Sequence, residues 1–370
     1  MRVLITVPRI EIPGGVSNYY RVLRPHLDQD KIYFEIGSIP GHSGPLRRVL
    51  RLAEDYVRFH RTLKHKQIDL VHLNPSMNSY AVCREGLFLL IALAHGKNVL
   101  VFFRGWRPSV EATIRRRFRR LFQAIYGRAR ATVVLAGEFQ ETLVSLGIPG
   151  PFFIETTVVE DEVFSAPSGV STHTTQREGF RVLFLSRLVA GKGLPEALDA
   201  IALLQTTVPD ATLDIAGDGP LREWAEREVD RRELRGVQFL GHISGSEKHS
   251  AFEQSDAYLF MSLAEGMPNS VLEAMAHGLP VVTRPVGGLR DFFVDGVMGY
   301  AVDSTDAADF ARRLAQLAAD PALRACMGRH NRDYARNRFT ASVVASRLLA
   351  IYDTLRPAVA GGCTTDTDVR

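Results

Sequence analysis

Short unbroken apolar runs alternate with longer amphipathic stretches along this chain, and the alternation occurs in two series. The first series has apolar runs at residues 3–7, 32–37, 70–73, 98–103, 131–135 and 152–154. Helical periods lie between them at residues 16–27, 46–66, 80–95 and 109–128. Runs of this length, bounded by turn residues and separated by helices, indicate parallel strands joined by crossover helices. Such strands are covered on both faces, so they need not alternate polar and apolar residues. A small polar stretch at residues 165–179 interrupts the pattern and reads as a linker. A second series then begins, with strands expected at 181–185, 212–216, 237–240, 257–261 and 280–283. Its helices are expected at 194–205, 221–231, 269–277 and 306–319, with only helix from there to about residue 355. The fold class is therefore α/β, with two tandem Rossmann-like doubly wound domains facing a cleft. Ligands bind such sheets at the carboxyl ends of their strands, which makes that cleft the default site.

A length of 370 residues fits two domains. No apolar run approaches the roughly 18 residues that span a bilayer. The brief apolar start, which runs into Pro8, does not resemble a signal peptide. Cys83, Cys326 and Cys363 are widely spaced and odd in number, which suits a reducing, cytoplasmic setting and gives no metal knuckle. Charge is divided unevenly. Residues 1–165 hold 23 Lys and Arg against 15 Asp and Glu, a net +8, whereas residues 166–370 hold 22 against 26, a net −4. The two halves are thus expected to meet different partners.

Four segments carry chemistry. Residues 262–282 follow an apolar strand, and Asn269 is placed to cap a helix after Pro268. The free amides of Asn269, Ser270 and Val271 would form an anion site in the cleft. Glu265 precedes that helix and Glu273 lies one turn into it, suited to accept sugar hydroxyls or else to be ordinary surface glutamates. Residues 185–193 bring Arg187, Lys192 and two glycines to one loop, which can clamp a diphosphate or be a solvated turn. It is not a Walker loop, because Ser186 and Gly193 stand at positions that need Gly and Ser or Thr. Gly217-Asp218-Gly219-Pro220 is a tight strand-to-helix turn. The pairs Gly287-Gly288 and Gly14-Gly15 permit close backbone approach to a ligand.

Together these segments resemble the retaining glycosyltransferases of family 4, which have the two-domain GT-B fold. Glu265 to Glu273 matches that family's E-x7-E signature, and the following Ala-Met-Ala-x-Gly-x-Pro-Val-Val run is highly specific. The resemblance covers nearly the whole chain. It implies a sugar-nucleotide-binding domain at residues 180–339 and an acceptor-binding domain at 1–165, the two joined by a linker at 166–179. It also implies a helix near 340–357 that packs back on the first domain, while the Gly- and Thr-rich tail at 358–370 reads as disordered from its composition. By the same resemblance Glu273 would hold ribose hydroxyls and Glu265 would contact the donor hexose. Arg187 and Lys192 would neutralise the diphosphate, and the base would rest near His242 and Ile243. Gly15 and Arg104 would face the donor from the other side. Two departures stand out. Arg104 occupies a position where the family usually has His, and an arginine accepts no proton at neutral pH. Residues 154–159 lack the family's Asn-Gly.

No metal and no cofactor is required on this reading, since two cations flank the diphosphate. Asp28-Gln29-Asp30 and Asp366-Thr367-Asp368 are read as a turn and a tail. The basic stretch with Arg115, Arg116, Arg117, Arg119 and Arg120 has Ile114, Phe118, Leu121, Phe122 and Ile125 on one helical face. It is either a sheet-packing helix or a dock for anionic lipid at the inner face of the plasma membrane. No recognition module accompanies the charge, so nucleic acid is not expected. The function expected is transfer of a hexose from a nucleoside-diphosphate sugar to a glycan or lipid-linked acceptor. The alternatives are an idle sugar-nucleotide-binding protein, or a sugar-nucleotide epimerase that would draw on groups such as Glu11 and His72.

Overall fold

The computed structural model describes residues 1–11, 14–27, 30–37, 45–164 and 179–356. All but one residue of the expected linker, the whole expected tail and most of the Asp-x-Asp positions lie outside the described residues.

The first sheet is made of β1 (Val3–Pro8), β2 (Lys31–Ile36), β3 (Leu70–Leu73), β4 (Asn98–Phe102), β5 (Ala131–Val134) and β6 (Phe152–Ile154). Its strands are all parallel, in the order β2-β1-β3-β4-β5-β6. The helices α1 (Gly15–Leu23), α2 (Pro45–His65), α3 (Ser79–Ala94), α4 (Pro108–Thr113), α5 (Arg119–Tyr126) and α6 (Gly137–Ser145) connect them. The second sheet has β7 (Phe180–Leu185), β8 (Ala211–Ala216), β9 (Val237–Gly241), β10 (Ala257–Phe260), β11 (Val281–Thr283) and β12 (Gly299–Ala301). Its order is β12-β11-β10-β7-β8-β9, again all parallel. Around it lie α7 (Leu194–Gln205), α8 (Arg222–Arg231), α9 (Gly245–Glu253), α10 (Asn269–Ala276), α11 (Leu289–Phe292), α12 (Ala307–Ala319) and α13 (Pro321–Arg338). The last helix is α14 (Ala341–Thr354).

The apolar runs explain both sheets. Val3, Leu4 and Ile5 of β1 and all four residues of β10 are buried, because helices cover each face. Asp306 and Asp320 start α12 and α13 by accepting from the amides of Ala308 and Leu323 at 2.9 Å. In each sheet the chain reverses its direction of travel once. That happens between β1 and β3 in the first sheet and between β7 and β10 in the second. The loops after these four strands therefore diverge and leave a crevice, and the two crevices face each other.

The final helix returns to the first sheet, as the resemblance implied. The Val159 amide donates to the Phe339 carbonyl at 2.8 Å, and its carbonyl accepts from the Ala341 amide at 3.1 Å. Arg347 of α14 makes a two-pronged ion pair with the buried carboxylate of Glu155. Tyr352 lies 2.7 Å from Nδ1 of His72, which burial and the charge of Arg104 hold well below its ordinary pKa.

Three sequence expectations need correction. The helix expected at 109–128 is broken by a π-type turn, Ile114–Phe118, between α4 and α5. Only Ile114, Phe122 and Ile125 of its apolar face turn inward, while Phe118 and Leu121 stay more than half exposed. The strand β12 and the helices α6, α9 and α11 were not expected. Asn269 is the first residue of α10 and not its cap, which is Pro268.

Candidate functional site

Both switch points open into one cleft of about 490 Å³. From the second sheet come Arg187 and Lys192, on the loop after β7, and Glu265 and Asn269, on the loop after β10. From the first come Gly15 at the start of α1, Asn78, Arg104, Trp106 and Thr157. Gly15 and Asn269, 254 positions apart in sequence, are brought together because the loops that carry them lie at the carboxyl ends of strands.

Glycines hold the second-sheet loops in register. Gly217 has φ +133°, and a Cβ there would fall inside the van der Waals envelope of the Ser186 carbonyl. The neighbouring turn is tied to the same loop, since the Leu188 amide donates to the Asp218 carbonyl at 2.9 Å. The Gly-Asp-Gly-Pro turn therefore positions Arg187 and does not line the cleft itself. Gly217→Ala is expected to lower the unfolding free energy by about 2–4 kcal/mol, from backbone strain plus the clash. Denaturant titration would measure it, and an unchanged midpoint would contradict this account.

The loop after β7 is zipped to the loop after β10. Leu263 donates its amide to the Gly191 carbonyl at 2.9 Å. This zipper places the Lys192 ammonium in a short ion pair with Glu265 Oε1, which also accepts from Ser262 Oγ at 3.0 Å. Gly287 and Gly288 were expected to approach a ligand. Gly287 packs against the Glu265-Gly266 backbone and Gly288 against Met267 and the Leu135 carbonyl, with the Gly288 amide donating to Gly266 O at 2.7 Å. Their effect is to fix Glu265.

Glu273, one turn into α10, pairs with Lys248 of α9 at 2.9 Å. Lys248 was missed in the sequence because α9 buries only Ala251 and Phe252, too few apolar positions to show a helical period. The α10 N-terminus carries no side-chain cap. One expected donor is already used, however: the Val271 amide donates to Pro268 O at 3.2 Å, and Val271 is fully buried. That leaves Asn269 and Ser270 as the free amides expected there. His242 is exposed and Ile243 half-buried beyond β9. Neither lines the cleft described above.

Arg104 is held rigidly. Its guanidinium carbon lies 3.6 Å from the ring centroids of both Tyr19 and Phe102. Its Nε–H donates to Asn74 Oδ1 at 2.9 Å, an oxygen that also accepts from Tyr20. The side chain is 9% exposed and pairs with no carboxylate among the described residues. Thr156 and Thr157, in the departing segment, have buried hydroxyls without hydrogen-bond partners. His72 is fully buried behind this wall, and Glu11 is exposed.

The charge balance suits an anionic ligand. Arg187 is exposed and unpaired among the described residues, Arg104 lacks a counter-ion, and Lys192 and Lys248 are each matched by one glutamate. Among the described residues no group of three or more His, Cys, Asp or Glu side chains is arranged to hold a metal ion. A smaller pocket of about 270 Å³ adjoins the cleft across Trp106 and Glu265, where the indole stacks on Phe139 at 4.6 Å. The Gly137 amide donates to Asp291 at 2.8 Å and Arg290 lies 3.7 Å from Glu138, so the two halves touch beside it.

His277, at the end of α10, is held down to about 4, chiefly by burial. It lies 3.0 Å from the His249 ring and stacks on Phe252. Its folded pKa is below the unfolded value near 6.5, so its contribution is complete above that pH and is lost as pH falls toward 4. Stability against thermal unfolding is expected to fall over this window by roughly 3 kcal/mol from this group. A His277→Gln variant should show a flatter profile, and an equally steep one would contradict the assignment.

Comparison with known proteins bears on the same region. Residues 172–334 match the family described as Glycosyl transferases group 1. A glycogen synthase of Mycobacterium tuberculosis is 29% identical over 204 residues, 55% of this chain and 49% of that protein. The aligned part thus spans about half the length of that relative. A phosphatidyl-myo-inositol mannosyltransferase of Mycobacterium leprae is 26% identical across 96% of this chain and 97% of its own. Among solved structures, Anabaena Alr3699/HepE in complex with UDP-glucose superposes with a TM-score of 0.74 at 17% identity, covering 95% of this chain and 99% of that one.

Proposed function

Because residues 172–334 match the family described as Glycosyl transferases group 1 and the fold is that of a GT-B neighbour, we propose that this chain moves a hexose from a nucleoside-diphosphate sugar to a hydroxyl of a glycan or lipid-linked acceptor. Anomeric configuration is retained. The observation that carries this reading is the convergence of Arg187, Lys192, Glu265 and the α10 N-terminus on one cleft, at the switch point of the second sheet. Relatives whose names specify a glycogen synthase and a mannosyltransferase support it, as does a neighbour solved with UDP-glucose.

In this reading the diphosphate lies between Arg187 and Lys192, with the Asn269 and Ser270 amides and the positive end of α10 beside it. Glu273 accepts from the ribose hydroxyls and Glu265 from the hexose. The bond from the anomeric carbon to the phosphate oxygen breaks, and the acceptor oxygen bonds that carbon on the same face. The acceptor proton passes to the departing phosphate oxygen. Arg187 and Lys192 stabilise the negative charge that grows there, and fixed charges of this kind need no reorganisation during the step. The acceptor enters from the first-sheet side, and the reaction takes place in the cytoplasm at a membrane face.

The test is nucleoside diphosphate release across a panel of sugar nucleotides, with and without acceptors and in excess chelator. Release that needs an acceptor and survives chelation is expected. Donor binding without release would favour the idle binding protein. Abolition by chelator would overturn the role given to the two cations.

A further inference from the structure

Arg104 carries a buried charge that no carboxylate among the described residues matches. Its backbone is pinned between two strand ends. The Arg104 amide donates to the Pro75 carbonyl at 2.8 Å, and the Gly105 carbonyl accepts from the Met77 amide at 2.7 Å. Beyond Tyr19 and Phe102, Tyr20 adds a third ring 5.3 Å from the guanidinium carbon. The oxygen that accepts from Nε is itself fixed, because Asn74 donates Nδ2–H to the Thr6 carbonyl at 2.8 Å. Nη2 is left buried with no hydrogen-bond partner, as are the hydroxyls of Tyr19, Thr156 and Thr157. Glu155, next in sequence to those threonines, is committed to Arg347 through both oxygens. A buried charge without a counter-charge and buried donors without acceptors both weaken a fold. The aromatic faces offset part of that cost and hold the guanidinium still, but they leave its in-plane donors open.

Arg104 and Thr157 line the cleft together with exposed Arg107, which makes no ion pair among the described residues. Among those residues Glu265 is the one carboxylate in the cleft wall, and Lys192 holds it. The proposed diphosphate engages Arg187 and Lys192 on the second-sheet loops. Arg104 and Arg107 stand on the first-sheet wall and have no anion in that scheme. A planar fork with open N–H groups, in one cleft with a hydroxyl that can donate, suits the paired oxygens of a carboxylate or a phosphate ester.

We propose that Arg104, with Thr157 and Arg107 of the same cleft, is a second anion site, which takes a carboxylate or phosphate ester of the substrate apart from the donor's diphosphate. The charged group belongs either to the sugar that is moved or to the acceptor. A neutral substrate leaves the buried donors unpaired, so the site selects against it as well as for an acidic one. That the ligand is a substrate rests on the transferase reading above; that an anion binds at Arg104 does not.

Trp106 shares the cleft wall with Arg104, and the only other tryptophan, Trp224, lies on α8. In a Trp224→Phe background, indole fluorescence is followed as acetate or inorganic phosphate is added at constant ionic strength. A saturable change is expected, weakened about 10–100-fold by R104M, less by R104K, about 2–10-fold by T157V, and not by R187Q. R104M should melt no lower than the parent, because methionine fills the aromatic slot without a charge. A midpoint unmoved in R104M, or lost in R187Q instead, overturns the proposal. If R104M melts far below the parent while T157V binds the anions like the parent, the arginine is structural and the proposal fails. Calorimetry then locates the charged group. UDP-glucuronate bound more tightly than UDP-glucose, with the difference gone in R104M, puts it on the sugar that is moved. Methyl glucuronide or glycerol phosphate bound by the UDP-saturated protein, with methyl glucoside and glycerol not bound, puts it on the acceptor. Neither preference overturns the assignment to a substrate. UDP weakened by R104M as much as UDP-glucuronate would make Arg104 a third cation on the diphosphate and overturn it too. Failure of every nucleoside diphosphate to bind the parent would instead strike the transferase reading and leave the anion titration standing.

Discussion

Replacing Lys192 by alanine is expected to lower turnover by about 10²–10³-fold while weakening donor binding less than about ten-fold. The asymmetry follows from geometry. Without donor the ammonium is already paired with Glu265, so ground-state binding exchanges one anionic partner for another and gains little. As the bond to the sugar breaks, charge moves onto the phosphate and only then does Lys192 face more negative charge than before. Removing an interaction of that kind lowers kcat and kcat/KM together and leaves the dissociation constant nearly fixed. Donor affinity by calorimetry and steady-state turnover on the same preparation would check it. Equal turnover in variant and parent would remove Lys192 from the chemistry. Lys192→Arg should recover part of the rate, because it keeps the charge but changes its reach.

Glu273→Gln is expected to do the opposite. A carboxylate that accepts from hydroxyl groups is worth about 1.5–3 kcal/mol, so donor affinity should fall by about 10–100-fold. Turnover at saturating donor should change little, because the ribose is far from the breaking bond. The change also releases Lys248, which is half-buried and can reach water, so a small loss of stability should accompany it. An unaltered dissociation constant would exclude Glu273 from the nucleotide site.

How far the sequence could be read depended on what kind of signal each residue carried. The parallel sheets were legible because continuous apolar runs leave little other choice, and eleven of the strands lie where those runs are. The twelfth, β12 (Gly299–Ala301), is a three-residue edge strand whose only large side chain is Tyr300. No period can be seen over that length. Arg187, Lys192, Glu265 and Asn269 could be found because each stands just after a strand, where chemistry collects. His242 and Ile243 were placed by the resemblance, and they lie outside the cleft walls because a strand end says nothing about where the chain turns next. Lys248 was invisible because its pairing with Glu273 crosses from one helix to another. Of the glycines, Gly15 stands in the cleft wall, whereas Gly217 and Gly287 meet other backbone. Sequence reports that backbone comes close to something, and here that something is the Ser186 carbonyl or the Glu265-Gly266 backbone.

The ion pair between Lys192 and Glu265 has one more consequence. On the proposed reading each group would serve a different part of the same donor molecule, and in the structure the two are paired with each other. A phosphate that drew Lys192 away would leave Glu265 with the Ser262 hydroxyl alone and open to a hydroxyl-bearing sugar. A nucleotide without its sugar thus frees the acid and gives it nothing, while a free sugar meets a carboxylate already engaged. On that reading the two residues would work as an interlock that favours a molecule with both parts, and the protein would respond slowly to spent nucleotide and to loose hexose alike.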